Sequence, residues 1–352
     1  MPKTNMQLTS ETETCFWNDS CNLEELAEAI AQGACGATSN PVIVYNVWKQ
    51  EESLFLEILD NLIEENMEDS EVEIAWKLIK EIGVRAAKLL EPVYRKSGGM
   101  KGRLSLQINP KIYRNKSRMV DHARELSTIA PNIAIKAPAV GAGIAAMEEM
   151  TACGIVINAT VCFSLPQAIA TAEAVESGLK RAEKAGIYTA KMTPYITIMV
   201  GRVDDQLKRV AERDKIAIDP GYLEWAGIAV FKKAYGIFQK RGYRSTLLAA
   251  AYRNDMQWSE LIGGKVVLTI PYEWWKKFNT MNIEVRSRID DPVSPKIVDE
   301  LYKKFEDFRK VYDEDGMKMP EFIHFGATLH TLGQFMGQYS KLLECVRGRM
   351  LR

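Results

Sequence analysis

The 352-residue chain lacks a surplus of either charge: 46 Lys and Arg stand against 46 Asp and Glu, and the formal net charge is zero. Nucleic-acid binders carry a basic excess, so no nucleic-acid partner is expected. No apolar run approaches the ~18 residues that a membrane span needs, and the polar opening 1–10 has neither a signal-peptide core nor a lipidation motif. The expectation is a soluble, cytoplasmic protein with no membrane partner. Histidine is scarce, with three residues (His122, His324, His330), and the six cysteines (Cys15, Cys21, Cys35, Cys153, Cys162, Cys345) contain no CxxC. A structural zinc site is therefore not expected, and most of the cysteines read as buried free thiols of a reducing compartment. Repeats and low-complexity tracts are also missing. The hydrophobic share of 47% and charged share of 26% are ordinary globular values.

The chain does have alternation. Short apolar runs at 14–17, 35–38, 102–107, 132–136, 154–158, 188–195, 245–250 and 265–269 read as strands. Amphipathic stretches at 23–32, 72–88, 141–151, 165–184, 220–241 and 255–261 read as helices. Strands alternating with helices predict parallel βαβ units, and eight of them fit an α/β fold closed as a (β/α)₈ barrel. Residues 48–96 hold two or three helices, more than one crossover needs. The stretch 272–295 reads as an irregular loop, followed by a charged helix over 296–312 and an apolar one around 329–343. With no flexible linker, 1–352 reads as one barrel domain. In it 1–12 is a flexible start, and 272–352 is a loop with helices packed on the barrel.

Several motifs suggest chemistry that their context does not support. Gly141-Ala142-Gly143-Ile144-Ala145-Ala146 approaches the dinucleotide GxGxxG/A pattern, but the next strand ends Ile157-Asn158-Ala159-Thr160 with no acid for a ribose. A nicotinamide oxidoreductase would need binding there. Asp204-Asp205 reads as a helix N-cap rather than a metal site. The histidines read as packed or solvated residues, and Trp274-Trp275-Phe278 as core or interface.

The informative segment is Asn132-Ile133-Ala134-Ile135-Lys136-Ala137-Pro138, which places a lysine at the C-terminal end of a buried strand. Active sites of such barrels lie at that face. Partial desolvation lowers a lysine's pKa, and a neutral amine can attack a carbonyl to form a Schiff base. The alternative is a lysine that snorkels to water. Other strand ends bring Asp19, Asn40, Gln107, Asn158 with Thr160, Thr197, Arg202 and Arg253. A polar ring around one lysine suits a polyol, and two converging arginines suit a phosphate.

These residues resemble the transaldolase family. The phrases that carry the resemblance are Gly36-Ala37-Thr38-Ser39-Asn40-Pro41, Ile135-Lys136-Ala137-Pro138, the run from Gly154 to Ser164 with Gln167-Ala168, and Val200-Gly201-Arg202-Val203-Asp204-Asp205. Ala251-Tyr252-Arg253 and Phe325-Gly326-Ala327-Thr328 add weaker support. The match runs in order from about Phe16 to the C-terminus. The resemblance implies class I aldol chemistry with no cofactor, only a covalent Schiff base on Lys136. Lys136 would attack the ketone of a ketose phosphate, and Asp19 would act as base on the C4 hydroxyl. Asn40 and Asn158 would hold hydroxyls and the surroundings of the imine nitrogen, Thr197 the C1 hydroxyl, and Thr160 a catalytic water. Arg202 and Arg253 would clamp the phosphate.

Three positions depart from the family pattern. Gln107 stands where transaldolases carry a glutamate, and Gln cannot shuttle a proton by ionising; it resembles the fructose 6-phosphate aldolase branch. Met199 stands where that branch has tyrosine and ordinary transaldolases phenylalanine. Ala251 replaces a serine near the phosphate. The expected partners are small-molecule sugar phosphates. Alternatives are aldolase-type cleavage, transfer on a non-standard sugar, or a non-catalytic sugar-phosphate-binding barrel. The apolar C-terminal helix and the Trp274-Trp275 segment could cover the barrel mouth or form a homodimer face.

Overall fold

The computed structural model describes residues 2–352. Eight parallel strands close into a barrel in sequence order: β1 (Cys15–Asn18), β2 (Gly36–Thr38), β3 (Arg103–Gln107), β4 (Ile133–Pro138), β5 (Ile157–Thr160), β6 (Tyr195–Ile198), β7 (Thr246–Ala249) and β8 (Val267–Ile270). Closure is made by β1 against β8, with Cys15 opposite Val267 and Asn18 opposite Ile270. The strands are short and buried on both faces, which is why they read as apolar runs rather than alternating ones. One set of side chains packs outward on the helices. The other fills the N-terminal half of the barrel interior with Trp17, Cys35, Ala134, Val156, Tyr195, Leu248 and Val267.

Two strands begin later than their apolar pattern suggests. Gly154 sits at φ +80° and Ile155 N–H returns to Met150 O at 3.0 Å, so 154–155 complete a helix end before β5 starts at Ile157. The expected strand at 188–195 meets the observed one only at Tyr195: 188–194 form no strand, Pro194 has no N–H for the ladder, and β6 runs from Tyr195 to Ile198. The helix Gly141–Ala152 explains the near-dinucleotide motif in packing terms. A Cβ on Gly143 would lie 1.9 Å from the carbonyl oxygen of Pro138, so glycine there lets the helix close onto the end of β4.

Three helices, Pro41–Gln50, Glu52–Glu65 and Glu71–Lys96, separate β2 from β3. The first is capped by Asn40 with Pro41 following, and the third by a capping box of Ser70 and Glu73. The C-terminal helix Gly326–Met350 packs on this group. Trp76 Nε1 donates to Tyr339 Oη at 2.8 Å, and Arg349 forms a bidentate pair with Asp60.

The structure corrects four expectations. The start of the chain is ordered from Thr4: a capping box of Thr4 and Gln7 begins a helix Asn5–Ser10, which buries Met6 and receives Trp258 Nε1–H on Thr9 Oγ1 at 3.1 Å. Met1 lies outside the described residues. The stretch after β8 is not wholly irregular, because Tyr272–Thr280 is a helix whose Trp275 and Phe278 face inward; the Phe278 ring stacks on Trp258 at 4.8 Å. Asp204 is not an N-cap. It lies within the helix Val200–Asp214, fully buried, accepting Gly227 N–H at 2.8 Å and Gln257 Nε2–H at 2.6 Å. Of the six cysteines only Cys21, Cys35 and Cys162 are buried; Cys153 is exposed, and Cys15 and Cys345 are half-buried. Among the described residues no helix is long and apolar enough to cross a membrane. His122 packs edge-on to Trp76 and accepts Asn109 N–H on Nδ1 at 3.1 Å; burial holds its pKa down, to about 4.

Candidate active site

A cleft of about 290 Å³ opens at the C-terminal ends of the strands, and Asp19, Asn40, Lys136, Thr160, Thr197, Arg202 and Arg253 all line it. Seven of the nine residues singled out from sequence therefore converge. The other two, Gln107 and Asn158, are buried and do not line it. Register places Gln107, Lys136 and Asn158 side by side on β3, β4 and β5, all facing inward at one level. Asn158 is fully buried, accepting Thr197 Oγ1–H at 2.7 Å and donating to Ser105 Oγ at 2.9 Å. Its amide is thus held in one orientation. Gln107 is buried beside Lys136, and its Oε1 has no hydrogen-bond partner.

Lys136 is 4% exposed. Burial lowers its pKa, the Asp19 charge opposes that, and Arg202 adds to it. Asp19 follows β1 and is half-buried. Burial raises its carboxyl pKa, against the lowering effects of Lys136, a hydrogen bond from Thr38 Oγ1 and Arg202. Thr38 in turn meets Thr269 at 2.8 Å, so the carboxylate is fixed by a hydroxyl chain across β2 and β8. Asn40 uses Oδ1 to cap its helix, accepting Val42 N–H at 2.8 Å and Ile43 N–H at 3.0 Å.

The two arginines sit differently. Arg202 is half-buried, donates from Nη2 to Gln334 Oε1 at 2.6 Å, and has a buried Nε with no partner. Burial, with Arg253 nearby, lowers its pKa to about 10. Arg253 is exposed and held by Asp205 through Nη2 at 2.7 Å and Nε at 3.1 Å. Two non-glycine residues at positive φ border the site, Val161 (φ 52°) after β5 and Ala251 (φ 66°) after β7. Such conformations cost about 1–3 kcal/mol and persist only where the surroundings enforce them. Here Gly201 permits it: a Cβ there would lie 2.0 Å from Ala251 O, so the helix carrying Arg202 packs directly on the turn that aims Arg253.

Tyr252, Glu273, Trp274 and Phe335 also line the cleft; the sequence offers no role there for Tyr252 or Glu273, and for the segments of Trp274 and Phe335 it offers a cover of the mouth only as one of two readings. Tyr252 has a buried hydroxyl without a partner, and the Asp19 charge reinforces the effect of burial in raising its pKa. Its signal was its place between Ala251 and Arg253. Trp274 and Phe335 come from the helices Tyr272–Thr280 and Gly326–Met350, which cover the barrel mouth. Met199, a buried thioether opposite Thr160 Oγ1, brings no hydroxyl.

The sequence of residues 16–319 matches the family model described as Transaldolase/Fructose-6-phosphate aldolase. The chain is 31% identical over 226 residues to "Transaldolase" of Thermobifida fusca (strain YX), a match covering 60% of each chain. It is 30% identical over 273 residues to "Transaldolase 2" of Streptomyces coelicolor, covering 71% of this chain and 72% of that one. "Transaldolase 1" of the same organism is 32% identical over 241 residues, 67% of this chain and 62% of its own length.

Proposed function

This chain belongs to the transaldolase/fructose-6-phosphate aldolase family, and on that premise we propose that it moves a three-carbon dihydroxyacetone unit from a ketose phosphate to an aldehyde acceptor through a Schiff base on Lys136. The observation that carries the reading is a nearly buried lysine paired electrostatically with Asp19 on the floor of a cleft flanked by two arginines. Burial favours the neutral amine, which is the nucleophile.

The neutral Lys136 amine adds to the C2 ketone, and water leaves to give a protonated imine. Asp19 removes the proton of the C4 hydroxyl, the C3–C4 bond breaks toward the imine, and an aldose phosphate departs. The enamine left on Lys136 adds to the acceptor aldehyde, and hydrolysis frees the new ketose and the lysine. Asn40 and Thr197 hold donor hydroxyls, Asn158 orients Thr197 and the surroundings of the imine nitrogen, and Thr160 holds the water that enters and leaves. Arg202 and Arg253 bind the phosphate, whose oxygens suit the buried free Nε of Arg202. The substrates are sugar phosphates and the working site is cytoplasmic.

A second outcome, release of free dihydroxyacetone as an aldolase, is favoured by Gln107, whose side chain cannot ionise to relay protons next to Lys136. Glyceraldehyde 3-phosphate release from fructose 6-phosphate, followed with and without an aldose-phosphate acceptor, separates the two. Transfer predicts about one equivalent per enzyme without acceptor and continuous turnover with it. Turnover in both conditions identifies the aldolase, and release in neither defeats the proposal.

A further inference from the structure

The opposite end of the barrel holds a pair of thiols outside the aldol site. Cys15 opens β1 and Cys35 immediately precedes β2; both face the barrel interior beside Trp17, Tyr195 and Val267. Cys35 N–H donates to Phe16 O at 2.8 Å, which sets Cys35 across the strand boundary from the residue after Cys15. Cys15 is therefore one residue along, about 3.3 Å, and one strand across, about 4.8 Å; the resulting separation of roughly 5.8 Å is within the roughly 4.4–6.8 Å Cα range that a disulfide spans without backbone movement. Both side chains line one cavity, and both are free.

A cavity of about 280 Å³ lined by both cysteines reaches the surface at exposed Glu13 and Lys101. The neighbouring Cys35 thiol lowers the pKa of the Cys15 thiol, against burial, with help from the Lys101 ammonium. Cys15 and burial raise that of Cys35. Of the two sulfurs, Cys15 is thus the one held toward its thiolate form and Cys35 the one held as a thiol. The contrast with the rest of the molecule is chemical as well as spatial: burial raises Cys21 and Cys162 to about 12 and leaves them unreactive. Two sulfurs alone do not make a metal site, and no cluster of three or more ligating side chains occurs among the described residues.

We propose that Cys15 and Cys35 form a hydroperoxide-reactive dithiol site at the N-terminal mouth of the barrel. The Cys15 thiolate attacks the terminal peroxide oxygen, the O–O bond breaks, and the departing alkoxide takes a proton from the Lys101 ammonium. Cys15 becomes a sulfenic acid. The Cys35 sulfur then attacks it, a Cys15–Cys35 disulfide forms, and water leaves carrying the Cys35 proton. The dithiol loses two electrons and the peroxide gains them, giving alcohol and water. A reducing thiol restores the pair. None of this depends on the aldol reading.

The test is peroxide treatment of the reduced full-length protein, followed by intact mass and peptide mapping. Wild type should lose two hydrogens and show Cys15 linked to Cys35, reversibly with dithiothreitol. Cys35→Ser should instead gain one oxygen at Cys15, trapped by dimedone, and Cys15→Ser should show neither product. Lys101→Met, a surface change that leaves the barrel interior intact, should move the pH profile of Cys15 alkylation upward and slow the peroxide reaction several-fold. Oxidation of exposed Cys153 ahead of Cys15, or no link between Cys15 and Cys35, would overturn the proposal. So would an alkylation profile unchanged in Lys101→Met.

Discussion

Replacing each arginine by glutamine tests how the cleft reads phosphate, and the structure assigns them unequal weights. Arg202 is half-buried, with a buried Nε that no protein group accepts from. A hydrogen bond to a charged group contributes about 1.5–3 kcal/mol, and restricted access to water places Arg202 toward the upper end. A loss of about 2–3 kcal/mol corresponds to a roughly 30- to 150-fold drop in kcat/KM for a phosphorylated ketose. Arg253 is exposed and already shared with Asp205. Solvent screening leaves it about 1 kcal/mol, or about fivefold. The assay compares fructose 6-phosphate with fructose for wild type, Arg202→Gln and Arg253→Gln. With fructose, both variants should stay within a few-fold of wild type. Equal losses on the two substrates, or a larger loss from Arg253→Gln, would refute the reasoning.

Three further outcomes follow from named contacts. Asp19→Asn removes the anion that raises the Lys136 pKa, so the acidic limb of imine formation should move to lower pH while carbon–carbon cleavage collapses; an unmoved limb in borohydride trapping would show that the two groups do not interact. Asp204→Asn turns an amide nitrogen toward the Gln257 amide nitrogen, and Gln257 cannot flip because its Oε1 accepts Arg253 N–H at 2.6 Å. Urea unfolding at pH 7 should show a loss of about 1–3 kcal/mol. Because burial raises Asp204 from 3.8 to about 7, the folded state holds its proton more tightly. Wild-type stability should therefore fall as pH rises through that window, and the variant should lose this slope. Gly143→Ala puts a carbon 1.9 Å from Pro138 O and should destabilise the protein by about 1–3 kcal/mol or more in the same assay; a neutral result would contradict the packing role of that glycine.

Most of the barrel was legible because buried parallel strands leave short apolar runs, and polar residues at their ends stand out against them. Lys136, Asp19 and the two arginines were readable for that reason. What escaped were residues whose position depends on closure. Tyr252 and Glu273 reach the cleft from outside the strands, whereas Trp274 and Phe335 belong to the two segments for which a place over the barrel mouth was one of two readings. Asp204 looked like a cap because it sits beside a second acid near a helix start, yet the helix begins four residues earlier and its carboxylate holds two other elements. The order of Asn5–Ser10 was hidden because its buried face is narrow, with Met6 and Thr9 alone fully covered. Gln107 is in register with Lys136 but does not line the cleft, a distinction that spacing along β3 does not encode.

The most direct measurement is intact mass after fructose 6-phosphate and then borohydride, on wild type and Lys136→Ala. A three-carbon adduct on wild type alone, mapped to Lys136, is the predicted result, since it requires both the imine and the cleavage of the C3–C4 bond. No adduct with fructose 6-phosphate, dihydroxyacetone or sedoheptulose 7-phosphate, or an adduct that persists in Lys136→Ala, would contradict the assignment of Lys136 as the Schiff-base residue.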